Sequence, residues 1–226
     1  MNQVAVIYRH APWLEYIKPT ESLFSERAYL VAKRIMDITL ILLVLPLLLP
    51  LFLAIMLAIK LESRHAPVFF VQNRTGKGGH RFGMYKFRTM VPNAEELKKE
   101  LAHLNELQWP DFKIANDPRV TRVGRFLRKT SLDELPQLLN VLLGDMSLVG
   151  PRPTSFSPET YSLWHTERLE VQPGLTGLWQ IFARGESEFD DRVWFDIAYI
   201  EHQSLWLDIL LLLHTVVAVL QQRGTH

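Results

Sequence analysis

Residues 38–59 read ITLILLVLPLLLPLFLAIMLAI, and this stretch constrains the fold more than any other part of the sequence. It carries no charged residue, and Thr39 is its one hydroxyl-bearing residue. As a single helix the stretch would measure ~33 Å at ~1.5 Å per residue, enough to cross the ~30 Å hydrocarbon core of a bilayer. The sequence therefore predicts a helix that enters a membrane.

Pro46 and Pro50 lie near the middle of the stretch, where each removes a backbone donor and opposes a straight helix. Two structures remain open: a kinked helix that spans the bilayer, or a re-entrant helix–break–helix hairpin. Basic residues are equally frequent on both flanks, with Lys18, Arg27, Lys33 and Arg34 before the stretch and Lys60, Arg64, Arg74 and Lys77 after it. This symmetry favours the re-entrant form, which puts both flanks at the anionic cytoplasmic surface.

The remaining sequence predicts an α/β protein that is predominantly helical and has a small β-hairpin. We expect a lead-in over residues 1–32, the membrane helix over 33–60 and a globular domain over 61–226. Helical patterns occupy 24–37, where Ser25 can cap, and 94–107. Two β-rich runs, 68–71 and 82–87, flank a glycine-rich turn and predict the hairpin.

Residues 205–220 form a second apolar run that Asp208 and His214 interrupt. The run is too short to span a bilayer comfortably, so an amphipathic helix lying at the membrane surface is favoured. Together with the re-entrant helix, this predicts a monotopic membrane protein.

Charge is distributed unevenly along the chain, although 25 Lys+Arg and 24 Asp+Glu give a formal net charge of only +1. Residues 1–59 carry a net +1, residues 60–130 a net +8 and residues 131–226 a net −8. A basic middle followed by acidic residues suggests a polyanion that meets carboxylates or a divalent cation. The absence of cysteine excludes disulfides, thiolate nucleophiles and cysteine-ligated metals.

The segment DPRVTRVGRFLRKTSLDELPQLLNVLL, residues 117–143, brings arginines and carboxylates together. Arginines at 119, 122, 125 and 128 would form a cationic strip on a helix, suited to a bilayer surface or to phosphates, although a solvated face is the simpler explanation. Asp133 and Glu134 follow, with Ser131 as a candidate cap and Pro136 in a first helical turn. The helix dipole and the arginines would keep a carboxylate of this dyad ionised, so it could act as a nucleophile or a metal ligand. The alternative is that the two acids only cap the start of the helix.

A rigid turn follows at residues 144–153, GDMSLVGPRP, and presents Arg152 between two prolines. Restricted backbone on both sides would preorganise this guanidinium for a phosphate. A structural turn with a surface arginine fits the local chemistry equally well.

These motifs, together with KFRTM at 86–90 and PGLTGLWQIFAR at 173–184, closely resemble the bacterial sugar transferase family, the monotopic polyprenyl-phosphate phosphoglycosyl transferases. The resemblance covers about residues 33–220. It implies a re-entrant membrane helix and an enzyme that moves a phospho-sugar from a UDP-sugar to polyprenyl phosphate, usually undecaprenyl phosphate, releasing UMP. It also implies Mg²⁺ as cofactor and a covalent phosphosugar intermediate on the aspartate of the dyad.

Carried onto this sequence, the resemblance makes Asp133 the nucleophile and a metal ligand, and Glu134 its catalytic partner. Candidate phosphate- or substrate-binding residues are Lys86, Arg88, Arg128, Arg152 and Asp208. The implied location is the cytoplasmic face of the bacterial inner membrane, as the first membrane step of a polysaccharide or glycoconjugate pathway. A second copy of the chain and downstream glycosyltransferases are further candidate partners.

Two other functions compete with the enzyme. A membrane-anchored assembly scaffold without catalysis would explain the apolar stretch, and a nucleic-acid-binding module would explain the basic middle. Neither of these two functions explains the dyad motif. We therefore favour the enzyme and expect no nucleic-acid partner.

Overall fold

The computed structural model of the chain describes residues 26–105, 114, 116–160, 162–182 and 189–221. Helix α1, Glu26–Glu62, contains the whole apolar stretch and extends beyond the predicted bounds of 33–60 at both ends. It stays helical past Pro46 and Pro50. The predicted lead-in before residue 26 and the cap at Ser25 lie outside the described residues. In the part of the chain that is described, α1 is the one helix long and apolar enough to cross a membrane.

Helix α1 contacts the rest of the protein through its two flanks and not through its centre. Lys33, Asp37 and Ile41 are buried on the first flank, and Ile55 and Ile59 on the second. Between them, residues 42–50 are exposed except for a partly exposed position 48. The centre of the helix therefore presents mostly leucine side chains that the other described residues leave uncovered.

The predicted hairpin is confirmed. Strand β1, Phe69–Thr75, pairs antiparallel with β2, Arg81–Phe87, and a 3₁₀ turn at Lys77–Gly79 joins them. Gly78 adopts φ +61° in this turn, a conformation that glycine reaches without steric cost.

A second two-stranded sheet was missed by the sequence analysis. Strand β3, Ser147–Val149, lies within the segment interpreted as a turn, and it pairs in parallel with β4, Gly174–Thr176. The backbones approach so closely that a Cβ on Gly174 would lie 2.1 Å from the Gly150 nitrogen. Strands of three residues carry too little alternation to be recognised in sequence.

The described part of the chain contains six further helices: α2 Ala94–Glu100, α3 Arg122–Lys129, α4 Gln137–Leu143, α5 Leu178–Phe182, α6 Phe189–Glu201 and α7 Leu205–Leu220. Short 3₁₀ segments occupy Ala102–Leu104, Leu132–Glu134, Pro158–Thr160 and Leu163–Leu169. The helix predicted over 94–107 is therefore shorter, and its last residues, 106 and 107, lie outside the described residues. The observed elements agree with a mostly helical α/β class.

Two hydrophobic clusters form the core, and strand β2 connects them. The larger cluster packs Phe82 and Met84 of β2 against α4, β3, α6, α7 and Ile41 of α1. The smaller cluster packs Phe87 of β2 against Ile55 and Ile59 of α1 and against α3. Both flanks of α1 thus belong to the core of the same domain.

A buried polar network fixes the first flank of α1. Lys33 Nζ lies 2.7 Å from Asp208 Oδ2 in α7, and both side chains are almost completely buried. Asp208 also accepts hydrogen bonds from the hydroxyls of Tyr199, at 2.7 Å, and Tyr29, at 3.2 Å. One turn further along α1, Asp37 accepts a hydrogen bond from Ser147 Oγ at 2.7 Å. These bonds join the membrane helix to α6, α7 and β3.

Replacing Lys33 by methionine should lower the free energy of unfolding by about 3 kcal/mol, because Asp208 then keeps a buried charge without its cation. Thermal unfolding in detergent measures the change. Arg27→Met on the exposed part of the same helix is the matched control and should leave stability within about 0.5 kcal/mol of the original. Equal loss in both variants would contradict the anchoring role of the ion pair.

Candidate active site

The carboxylate dyad lies in a tight turn between α3 and α4. Asp133 and Glu134 occupy the 3₁₀ segment Leu132–Glu134, and Pro136 precedes the first residue of α4. Ser131 has a left-handed φ of 57°, and its side chain caps no helix, so the predicted cap is wrong. The dyad is close to a helix start, as expected, but a separate turn sets the directions of its two side chains.

Glu134 is held by two cations from different parts of the fold. Lys86 of β2 donates to Oε1 at 2.9 Å, while Arg152 donates through Nη1 to Oε2 at 3.1 Å and through Nη2 to Oε1. Burial raises the pKa of Glu134, but the charges of Arg152 and Lys86 outweigh burial and hold that pKa well below its usual range. Glu134 is thus a fixed anion with both oxygens occupied.

Asp133 differs from its neighbour because its carboxylate makes no hydrogen bond or salt bridge to the described residues. Burial raises the pKa of Asp133, and the nearby charge of Lys86 offsets only part of that effect. The low pKa that the sequence suggested for the dyad therefore falls on Glu134. Asp133 is partly exposed and lies near cations, and no donor among the described residues occupies its carboxylate.

Arg152 has a firmly supported backbone. Pro151 and Pro153 are buried on either side of it, as the rigid Pro-Arg-Pro sequence predicted. Arg168 donates to the Arg152 carbonyl at 2.8 Å, and its guanidinium lies 2.5 Å from the Asp196 carboxylate. Burial raises the pKa of Asp196 to about 6, with Arg168 acting in the opposite direction.

The sequence analysis did not identify the Arg168–Asp196 pair. Asp196 stands in the apolar sequence VWFDIAY of α6, and an isolated acid in such a run is a signal that a buried cation lies nearby. No comparable signal marks Arg168, which lies in a 3₁₀ segment with mixed composition.

Arg128 lies near the dyad without contacting Glu134, whereas the contacts of Arg88 are with other residues. Arg128 of α3 donates from Nε to Thr89 Oγ1 at 2.9 Å, and its charge acts on Asp133. Helix α3 reaches Thr89 because Gly124 has no side chain: a Cβ there would lie 2.1 Å from the Thr89 carbonyl oxygen. Arg88 donates to the Pro67 carbonyl at 2.8 Å, and its guanidinium lies 5.8 Å from the centre of the Phe70 ring.

Two residues of the predicted cationic and acidic set lie elsewhere. Arg119 precedes α3, is buried and forms an ion pair with Asp117, so it is not part of a helical arginine strip. Asp208 contacts Lys33, Tyr29 and Tyr199, and none of its hydrogen bonds reaches the dyad. The structure thus brings Lys86, Arg152 and the dyad together, with Arg128 nearby, and places Asp208 at the junction with α1.

Magnesium would find one available protein ligand at this site. The described residues contain no group of three or more His, Cys, Asp or Glu side chains that could hold a metal by themselves. Mg²⁺ commonly binds through one or two carboxylates together with substrate phosphates and water. The unoccupied carboxylate of Asp133 fits that arrangement, with the remaining ligands supplied from outside the protein.

An apolar helix docked on a domain with a carboxylate dyad among cations defines a membrane-associated α/β protein. The family described as bacterial sugar transferase matches residues 28–222. The chain belongs to this family.

Three relatives illustrate the similarity. The chain is 44% identical over 203 residues to the galactosyl transferase CpsE of Streptococcus agalactiae, covering 89% of this chain and 45% of that protein. It is 41% identical over 207 residues to the UDP-glucose:undecaprenyl-phosphate glucose-1-phosphate transferase of Xanthomonas campestris pv. campestris, covering 88% and 40%. Identity with the exopolysaccharide production protein ExoY of Sinorhizobium fredii is 40% over 201 residues, covering 87% and 88%. The chain therefore spans less than half the length of the first two relatives.

Carbodiimide coupling at mildly acidic pH should modify Asp133 well before Glu134. The reagent attacks protonated, accessible carboxyl groups, whereas Glu134 has a low pKa and two occupied oxygens. Peptide mass spectrometry measures the two sites separately. In Lys86→Met protein, coupling at Glu134 should rise; equal coupling of both acids in the original protein would contradict the difference between them.

Proposed function

We propose that this chain transfers a sugar phosphate from a UDP-sugar to a polyprenyl phosphate, with Asp133 as the nucleophile. The observation that carries the proposal is the division of the dyad. Lys86 and Arg152 occupy Glu134, whereas Asp133 keeps an available oxygen beside the same cations. The Xanthomonas relative, whose name states this reaction for UDP-glucose and undecaprenyl phosphate, supports the substrate classes.

In the first step, an Asp133 carboxylate oxygen attacks the β-phosphorus of the donor. A bond forms between this oxygen and phosphorus, the bond from the β-phosphorus to the bridging oxygen breaks, and UMP leaves with the electron pair. Lys86 and Arg152 lie where they can attract the two phosphates. The product of this step is a sugar phosphate attached to Asp133 through a mixed anhydride.

In the second step, a phosphate oxygen of the polyprenyl phosphate attacks the same phosphorus. The bond to Asp133 breaks, the carboxylate is regenerated, and a polyprenyl diphosphosugar leaves. A phosphate dianion is already a good nucleophile, so this step does not depend on a general base. Glu134 then serves to keep Lys86 and Arg152 in place, which is the role its bonds support.

Asp133 would hold Mg²⁺ together with the donor phosphates, and the metal would supply charge neutralisation for the departing nucleotide. Around it, the chain's own cations orient the donor. Pro151, Pro153 and the Arg168 side chain fix the backbone from which Arg152 reaches the dyad.

Asp133→Asn should abolish UMP release and covalent labelling by a radioactive donor, because an amide cannot form the phosphosugar adduct. The assay uses the full chain in lipid nanodiscs with Mg²⁺, polyprenyl phosphate and a panel of UDP-glucose, UDP-galactose and N-acetylated donors. Glu134→Gln should retain labelling but slow it about 100-fold, since its two cations lose their anchor.

Glu170→Gln, on the exposed surface, is the matched control and should transfer sugar phosphate at the original rate. Full turnover by Asp133→Asn protein would refute the nucleophile. Absence of transfer with every donor would instead favour the membrane-anchored scaffold.

We further propose that α1 is re-entrant and that the domain lies on the cytoplasmic face of the inner membrane. A crossing helix would deliver its ends to opposite surfaces, about 30 Å apart. Here both flanks pack on one domain: Ile41 in the larger core cluster, Ile55 and Ile59 in the smaller one. Glu62, at the end of α1, also accepts hydrogen bonds from the first backbone amides of α3. These contacts support a helix that enters and leaves through the same surface.

Single cysteines introduced at Val31 and Leu61, two exposed positions on the two flanks, should react with an impermeant maleimide from the same side of sealed vesicles. The natural chain has no cysteine, so each signal reports one position. A cysteine at Leu47, in the exposed centre of α1, is the control and should resist labelling from either side in intact membranes. Labelling of the two flanks from opposite sides would overturn the re-entrant topology.

A further inference from the structure

A cleft lies beside the dyad, and the roles proposed above for the two acids and their cations do not explain it. Its cavity volume is about 180 Å³, smaller than the roughly 300–1,000 Å³ of typical small-molecule sites, and it opens to solvent, so a larger ligand would extend out of it. Its walls come from β1, from the chain that follows Pro151, from the 3₁₀ segment Leu163–Leu169 and from helices α5 and α6. Arg152 lines the cleft and also binds Glu134, so the cleft and the dyad share a wall.

The cleft is strongly cationic. Its lining includes four arginines, Arg74, Arg152, Arg168 and Arg192, and no Asp or Glu among the described residues. Thr154 and Ser155 add hydroxyl groups to the same wall. Guanidinium groups bind phosphate oxygens through paired N–H donors, so this lining selects a ligand that carries phosphate.

Aromatic side chains form the other part of the lining. Phe156 and Phe189 meet edge to face at 5.3 Å between ring centres, and Trp179 lies with its ring 5.5 Å from the Arg192 guanidinium. Trp179 Nε1 is buried and finds no hydrogen-bond partner within the described residues. A buried indole N–H normally has an acceptor, and the described residues do not supply one to Trp179.

We infer that this cleft binds the nucleoside monophosphate part of the donor, with Trp179, Arg192 and Arg74 as nucleotide-binding residues. The inference rests on the proposed function and assigns a place to the leaving group. A nucleobase supplies the flat ring and the carbonyl acceptor that Phe156 and Trp179 fit, and its phosphate meets the arginines. The isoprenoid phosphate has neither a planar ring nor a carbonyl, so it does not match the lining.

The shared Arg152 fixes the direction in which the donor lies. With the nucleoside in the cleft, the α-phosphate meets the arginine wall and the β-phosphate points past Arg152 toward Asp133. The sugar then lies on the far side of the dyad from Trp179. UMP leaves through the cleft, and the lipid phosphate approaches Asp133 from another direction.

Calorimetric titration of the full chain in nanodiscs with UMP alone tests the cleft without turnover. Arg192→Gln should weaken UMP binding about tenfold, as expected for loss of a charged hydrogen bond. Trp179→Phe keeps an aromatic ring but removes the N–H, and it should weaken UMP binding several-fold. In steady-state assays both variants should raise KM for the UDP-sugar and leave KM for the lipid phosphate unchanged.

Matched controls are Arg125→Gln and Trp206→Phe, whose side chains are exposed and line no part of the cleft. Both should bind UMP as the original protein does. Inorganic pyrophosphate and a short-chain prenyl phosphate are titrated in parallel. Unchanged UMP affinity in both cleft variants, or loss of prenyl phosphate binding in place of UMP binding, would overturn the assignment.

The UMP titrations and the transfer assay together distinguish a failure of the cleft assignment from a failure of the catalytic proposal. Asp133→Asn protein should still bind UMP in a titration without metal while transferring nothing. Cleft-dependent UMP binding in a protein that transfers no sugar phosphate would keep the cleft and reject the reaction. Normal transfer with UMP affinity unaffected by either cleft variant would reject the cleft and keep the reaction.

Discussion

The shared ion cluster of Glu134, Lys86 and Arg152 is the constraint on which the site depends. One carboxylate binds a lysine from the hairpin and an arginine from the chain that follows β3. The hairpin also meets that chain through hydrogen bonds at its other end, such as Thr75 N–H to the Thr154 carbonyl, but these bonds do not set the directions of Lys86 and Arg152. Because Glu134 satisfies both cations, its neighbour Asp133 keeps an open oxygen in a positive field. The two adjacent acids therefore differ in their contacts because of this one ion cluster.

A second constraint governs the relation to the membrane. The exposed leucines at the centre of α1 require a nonpolar environment, whereas Lys33 and Asp37 require the polar interior of the domain. Both requirements apply to the same helix, at positions that are only a few turns apart. The distance between the domain core and the apolar centre of α1 is therefore set by covalent geometry.

Elements with a strong local sequence signal were predicted correctly. Elements without such a signal became visible only in the structure. The apolar stretch and the hairpin followed from composition and turn residues, and the fixed backbone at Arg152 followed from its two prolines. The β3–β4 pair could not be predicted, since each strand has three residues and their pairing joins segments 27 residues apart along the chain. The different environments of Asp133 and Glu134 could not be predicted from the sequence either. These adjacent acids differ because they contact residues that are distant along the chain. The contacts of Asp208 were likewise not predicted: the resemblance made it a candidate substrate-binding residue, and tertiary packing pairs it with Lys33.

The Lys33–Asp208 bond also has a consequence for biogenesis. Its partners are 175 residues apart, so ribosomes that add about 5–20 residues per second produce the acid about 9–35 s after the lysine. During this interval the nearby carboxylate of Asp37, one turn away on the same helix, can act as counterion for Lys33. The first flank of α1 therefore reaches its final contacts only after α7 has been synthesised.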